Sequence, residues 1–282
     1  MKHVIISFLL FTSLIFPTRI FSHHYSIIAH TISDSAHEAR SIFAADIDGD
    51  GDMDVLSGHN NIAWYEYDTL GSFIPHIISN SAASSVYAVD LDGDGDMDVV
   101  GSSDGSVNWY ENDGLQSFDT HIICNHYWHR GFTSVYALDV DKDEDMDVVT
   151  ASSLPNNKIM WYENDGSESF TTHTISTSAA SSVYAVDLDG DGDMDVVGSS
   201  DGSVSWYEND GLQSFNAHII CNHYWHRGFT SVYALDVDKD EDMDVVTASS
   251  SPNNKIMWYE NCLLYTSPSP RDQRGSRMPS SA

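Results

Sequence analysis

Residues 46–54 read Asp46-Ile47-Asp48-Gly49-Asp50-Gly51-Asp52-Met53-Asp54, and a Trp-Tyr-Glu triplet follows at Trp64. The run returns, with changes inside it, at Asp90, Asp139, Asp187 and Asp236, and the triplet returns at Trp109, Trp161, Trp206 and Trp258. The intervals between runs are 44, 49, 48 and 49 residues. A period of this length marks a propeller or solenoid, in which each unit buries its apolar face only against its neighbours. The repeat also carries chemistry, because alternating aspartates have the ligand spacing of a calcium loop.

One unit reads as four strands. Val86-Tyr87-Ala88-Val89 is rich in strand formers and precedes the acidic run Asp90–Asp98. Val99-Val100-Gly101 begins a second strand, Asp104-Gly105 is a two-residue hairpin signal, and Val107-Asn108-Trp109-Tyr110-Glu111 is a third. Asp113-Gly114 marks another turn, and Phe118 to Ile123 a fourth strand. No window has the period of an amphipathic helix. The expectation is an all-β chain, a β-propeller of four-stranded antiparallel blades with five repeats present.

The ends of the array suggest how it closes. Tyr25 to Ile32 matches the end of the third repeat, Phe170 to Ile175, while the last repeat stops at Asn261 without a fourth strand. The N-terminal strand is expected to complete the last blade and remove its open edge. A seven-bladed ring, of which these repeats are part, is the alternative.

The acidic loops and the Trp-Tyr-Glu-Asn segments resemble FG-GAP/VCBS repeats, the family that includes the integrin alpha-chain propeller and many secreted bacterial proteins. The resemblance covers His24–Asn261. It implies a β-propeller with calcium in the loops between first and second strands. The activities it implies are diverse, chiefly adhesion and the binding of glycan or protein.

A hard cation takes several oxygens at about 2.3–2.6 Å. In the first loop Asp46, Asp48, Asp50 and Asp54 are expected to give side-chain oxygens, and Asp52 its carbonyl. Direct alignment assigns Asp90, Asp92, Asp94 and Asp98 with the Asp96 carbonyl to the second loop. The fourth takes Asp187, Asp189, Asp191 and Asp195 with the Asp193 carbonyl. The third loop (Asp139, Asp141, Asp143, Asp145, Asp147) and the fifth (Asp236, Asp238, Asp240, Asp242, Asp244) depart from the pattern. Lys142 and Glu144, and Lys239 and Glu241, stand where the others have glycine. Weaker calcium binding is expected there, or a lysine–carboxylate pair in partial place of the ion. Without a cation, two carboxylates about 4 Å apart repel by roughly 4 kcal/mol at an effective dielectric near 20, so empty loops are unfavourable.

Composition agrees. The 282 residues carry a formal net charge of −31, and 25 of the 43 acids are the aspartates of the five runs. The charge is thus local to the loops. With 41% hydrophobic and 11% aromatic residues, disorder does not explain the acidity. Nucleic acid is excluded as a partner, since phosphate binding needs clustered Lys and Arg. Residues 1–22 read as a signal peptide, with Lys2 and His3 before an apolar run from Val4 to Phe16 and Ser22 at the cleavage position. That run is too short for a stable membrane span. The expected location is secreted or cell-surface, where calcium is abundant.

The repeats occupy residues 23–261. Residues 262–282 read CLLYTSPSPRDQRGSRMPSSA and have no hydrophobic period. This tail closely resembles the conceptual translation of a transposase-library sequencing adapter and is set aside as non-native or disordered. The natural chain is then expected to run on beyond residue 261 with its own sequence. Ser81–Asn164 and Ser178–Asn261 align without gaps and differ at four positions, Asn108/Ser205, Asp119/Asn216, Thr120/Ala217 and Leu154/Ser251. A recent duplication and an assembly error both account for this. Cys124 and Cys221 hold equivalent places in non-adjacent repeats, too far apart for a disulfide.

The irregular residues fall on the face opposite the acidic loops. The segment Cys124 to Gly131, which carries His126, Tyr127, Trp128, His129 and Arg130, is a four-residue expansion of the loop between a fourth strand and the next first strand; His223, Tyr224, Trp225, His226 and Arg227 repeat it. Asn156, Asn157 and Lys158, with their copies Asn253, Asn254 and Lys255, lie in a longer loop of the following blade. An aromatic platform beside amides and a cation suits stacking on a sugar ring. Packing of Trp128 and Trp225 between blades is the equal alternative, and a transition metal at His126 and His129 a weaker one. The sequence shows no unique carboxylate pair and no Ser/His/Asp constellation, which a single catalytic site needs. The reading is a calcium-binding, non-catalytic binding or adhesion module for glycan or extracellular protein. A polysaccharide-degrading enzyme or its accessory domain, and a structural spacer, are the alternatives.

Overall fold

A computed structural model describes residues 28–103, 105–125, 131–153, 157–200, 202–222, 228–250 and 254–262. The described residues from Ile32 onward belong to one compact unit and contain strands and no helix. The first blade is β1 (Ser41–Ala45), β2 (Asp54–Gly58), β3 (Ile62–Tyr67) and β4 (Phe73–Ser79). The second is β5 (Ser85–Val89), β6 (Asp98–Ser102), β7 (Ser106–Asn112) and β8 (Phe118–Asn125). The third is β9 (Phe132–Leu138), β10 (Asp147–Ser152), β11 (Lys158–Asn164) and β12 (Phe170–Ser176). The fourth is β13 (Ser182–Val186), β14 (Asp195–Ser199), β15 (Ser203–Asn209) and β16 (Phe215–Asn222). The fifth shows β17 (Phe229–Leu235), β18 (Asp244–Ser249) and β19 (Lys255–Tyr259). Every sheet pairs its strands antiparallel in chain order. The chain is an all-β propeller arrangement of five blades.

The apolar cores lie between blades, not within them. Ala45, Ile47, Leu56, Ile62 and Trp64 of the first blade pack on Val86, Ala88, Val99 and Tyr110 of the second. The same pattern joins the second blade to the third, the third to the fourth and the fourth to the fifth. A two-sided blade with period-2 alternation has this consequence: one set of side chains faces the preceding blade, the other the following one. The inner strands carry a column of rings, Phe43, Tyr87, Tyr136, Tyr184 and Tyr233, with successive centroids 4.5, 4.7, 4.9 and 4.3 Å apart.

Polar contacts repeat at each junction. The Ser41 hydroxyl accepts the Val86 N–H at 3.2 Å, and Ser85, Ser134 and Ser182 accept those of Val135, Val183 and Val232. The Asn112 side chain donates to the Ile47 carbonyl of the preceding blade at 3.0 Å; Asn164, Asn209 and Asn261 do the same to Leu91, Val140 and Leu188.

The closing strand expected from Tyr25 to Ile32 does not form in its described part. Residues 28–32 carry no strand, and the fifth sheet has three strands among the described residues. The match to Phe170–Ile175 is thus one of composition there, without ladder pairing. Cys124 and Cys221 are free and buried, and Tyr162 donates its hydroxyl to Cys124 Sγ at 3.2 Å. No helix among the described residues is long and apolar enough to cross a membrane.

Candidate metal loops and ligand face

Each acidic run bridges the first and second strands of its blade, so all five loops lie at one end of the sheets. Carboxylate oxygens converge in every loop to within 4.8 Å of one another. The groups are Asp46, Asp48 and Asp50; Asp90, Asp92 and Asp94; Asp139, Asp141 and Asp147; Asp187, Asp189 and Asp195; and Asp236, Asp238 and Asp240. These are aspartates that the sequence singles out. The donor set is all oxygen, as a hard divalent cation prefers. Buried oxygens point the same way: Asp46 Oδ1 and Asp141 Oδ1 are inaccessible and have no hydrogen-bond partner. An anionic oxygen in that state is strongly unfavourable unless a cation meets it. The residues fit a calcium ion.

The loops hold their shape through backbone donors. Asp90 accepts the N–H of Gly93 at 2.8 Å and of Gly95 at 3.0 Å. The ninth aspartate anchors the whole turn. Asp98 is fully buried and accepts the N–H of Leu91 at 3.0 Å and of Asn112 at 2.7 Å. Asp54, Asp147, Asp195 and Asp244 make the same two bonds in their blades. Burial pushes the carboxyls of Asp98 and Asp195 up to about 6 and that of Asp147 up to about 7, against the lowering effect of these bonds. Burial likewise raises Asp48, Asp92, Asp141 and Asp189, with repulsion from neighbouring aspartates adding to it.

Gly49 and Gly51 have φ of 72° and 95°, the left-handed region. Lys142, Glu144, Lys239 and Glu241 keep that conformation, with φ of 65°, 77°, 68° and 76°. The third and fifth loops therefore keep the turn and carry its strain. The lysine–carboxylate pair expected inside the third loop forms across blades instead. Lys142 Nζ pairs with Asp193 Oδ1 in the fourth loop.

Sequence reasoning missed the role of the fourth-strand histidines. His76 stacks on Trp64 with ring centroids 4.4 Å apart and meets Glu66 at 2.8 Å. His121, His173 and His218 repeat this with Glu111, Glu163 and Glu208. The signal was present: a histidine recurs three residues after the phenylalanine that opens each fourth strand. Trp64, Trp109 and Trp161 are buried packing residues, as their fixed place in the third strand suggests.

Residues His126 to Arg130 and His223 to Arg227 lie outside the described residues, as do Asn156 and Asn253. Their flanks are described. Gly131 accepts the Ser153 N–H at 2.9 Å and Gly228 that of Ser250 at 2.8 Å. Gly131 and Gly228, which open the described chain after those segments, are thus tied to the start of the loops that carry Asn157 and Asn254. On the acidic-loop face, two cavities of about 720 and 470 Å³ are copies of each other. The larger takes Val89, Leu91 and Met97 with Glu144 and Met146; the smaller takes Val186, Leu188 and Met194 with Glu241 and Met243.

The FG-GAP-like repeat family model matches residues 46–101, 90–150, 139–198 and 187–247. No curated protein sequence matches the chain. Among solved structures, an Agrocybe aegerita lectin, described by its specific recognition of non-reducing terminal N-acetylglucosamine, is similar at 18% identity and a TM-score of 0.52. That match covers 80% of this chain and 67% of the lectin chain. The V. cholerae biofilm matrix protein Bap1 is similar at 19% identity and a TM-score of 0.48, over 78% of this chain and 37% of that one. At 18% identity the likeness to the lectin is one of fold.

Proposed function

The chain belongs to the FG-GAP-like repeat family, and from that premise we propose that it is a secreted, calcium-stabilised propeller. Its role is that of a non-catalytic binding or adhesion module for a glycan or an extracellular protein. Calcium is held by the converging aspartates of the five loops, more weakly in those that contain Lys142 and Lys239. The ion serves the fold: at ten times its dissociation constant it adds about 1.4 kcal/mol per site.

The ligand side is the opposite face. Its carrying observation is the tie between Gly131 and Ser153, repeated between Gly228 and Ser250, which joins the residue after each aromatic-rich segment to the start of the amide-bearing loop. On this reading Trp128 and Trp225 are the residues that stack on a sugar, and Asn157 or Asn254 with Arg130 or Arg227 orient it. A related fold in the Agrocybe aegerita lectin recognises terminal N-acetylglucosamine, so glycans ending in that sugar belong in the test set.

A glycan array probed with the wild-type protein and with Trp128→Ala and Trp225→Ala tests this reading. Glycan binding that the substitutions abolish supports it. Binding that survives both removes these residues from the site, and release of sugar from a polysaccharide replaces the reading with an enzymatic one.

A further inference from the structure

The second and fourth loops have the same nine residues, Asp-Leu-Asp-Gly-Asp-Gly-Asp-Met-Asp, at 90–98 and at 187–195. They differ in what the preceding blade presents to them. Gly49 of the first loop stands in the place of Lys142 and brings no side chain to the second loop. Lys142 brings an ammonium to the fourth loop, where it pairs with Asp193 Oδ1. A Cβ on Gly192 would lie 3.7 Å from Lys142 Nζ, so the charge sits over the backbone of the turn itself. The bond to Asp193 chiefly, with the charges of Asp191 and Asp187 adding to it, holds the ammonium above its ordinary value.

We propose that Lys142 is a tethered cation that competes with calcium for the fourth loop, so that two loops of identical sequence differ in affinity for the ion. The inference rests on the reading of the aspartate loops as calcium sites. Calcium brings two positive charges to a turn that already faces one, and like charges so placed repel. The competition is one of charge, since the ligand expected from Asp193 is its carbonyl and not the carboxylate that Lys142 holds. The side chain has room to leave. It is 50% exposed, and it also lines the cavity of about 720 Å³ beside Asp139 and Asp145 of its own loop. The second loop has an advantage besides, because Glu168 of the following blade lines one cavity with Asp92 and Asp94. The decisive quantity is therefore the change at the fourth loop when Lys142 is altered, not the gap between the two loops.

NMR of the full chain, with isotope-labelled glycine and titrated with calcium, reads the two loops separately. The amides of Gly93 and Gly95, which donate to Asp90, report the second loop; those of Gly190 and Gly192, which donate to Asp187, report the fourth. Lys142→Gln removes the charge and keeps a long polar side chain, whereas Lys142→Arg keeps the charge. Lys142→Gln is expected to tighten calcium binding at the fourth loop about tenfold and to leave the second unchanged. Lys142→Arg is expected to match the wild type. The gain is expected to shrink as salt is raised, because the ammonium faces water. A fourth loop that Lys142→Gln leaves unchanged overturns the proposal, as does an equal gain in the glutamine and arginine variants. Failure of the underlying calcium reading has a different signature: Gly93 and Gly95 would then not respond to calcium in the wild type, and the proposal would fall with it.

Discussion

Asn112 Nδ2 lies 3.0 Å from the carbonyl oxygen of Ile47, a residue in the preceding blade's acidic loop. The same side chain donates to the Met97 carbonyl at 3.1 Å and accepts the Gly114 N–H at 3.2 Å. One buried amide thus ties its own loop, its own turn and the neighbouring loop together. Each blade is positioned by the one before it through the segment that is built to hold the cation.

Asn112→Ala leaves two carbonyls and one N–H without a partner inside the fold. The expected loss is about 2–3 kcal/mol, read as a lower midpoint in denaturant at constant slope. Equal losses are expected for Asn164→Ala and Asn209→Ala, which break the same bonds. A midpoint that does not move would mean that water replaces the amide at no cost.

Asp98→Ala is expected to be more severe than loss of any converging aspartate that does not itself hold the ninth place of its loop. It orphans the N–H of Leu91 and of Asn112 in a fully buried place, a loss of about 3 kcal/mol or more. Asp98→Asn keeps one acceptor oxygen and is expected to fall between the two. Thermal melts of the three proteins give the order.

Glu144→Gly and Glu241→Gly are expected to stabilise the protein. Both residues hold positive φ, which burdens a side-chain-bearing residue by about 1–2 kcal/mol and glycine not at all. A rise in melting temperature, with tighter calcium binding in the third and fifth loops, is the expected result. A fall would show that the glutamates make contacts worth more than the strain.

Acidification has opposite effects with and without metal. The carboxyls of Asp98, Asp147 and Asp195 sit at about 6, 7 and 6, above the ordinary 3.8. Between those values the folded chain holds protons that the unfolded chain has released. Calcium-stripped protein is therefore expected to gain stability as pH falls from 8 through 6, and to have lost that contribution above the folded values. With calcium, protons compete with the ion, so the difference in melting temperature between loaded and stripped protein narrows over the same window. Calorimetry at pH 8, 7 and 6 reads both trends, and a stripped protein that loses stability on acidification would contradict the first.

Much of the fold was legible because the repeat is short-range. Asp90 to Asp98 define a loop by their own alternation, and Val86 to Val89 and Val107 to Glu111 declare strands on either side. What spans blades was not legible. Nothing near Lys142 in sequence announces that it reaches Asp193, 51 residues on, because that pairing depends on the stagger of two blades. The stacking of His76 on Trp64 escaped for a related reason, since strand register, not sequence distance, brings them opposite each other. The closing strand is absent from its described part, residues 28–32, where composition was taken for pairing. A match between Tyr25–Ile32 and Phe170–Ile175 carries no information about whether the ends of the array meet.

Melting of the protein by differential scanning calorimetry at pH 8, with saturating calcium and again after calcium is stripped, tests the central assignment most directly. Three glycine-type loops at ten times their dissociation constant would contribute about 4 kcal/mol together. The expected result is a markedly lower transition without calcium that returns in full when calcium is restored. Superimposable transitions in the two states would contradict the assignment of the aspartate loops as calcium sites.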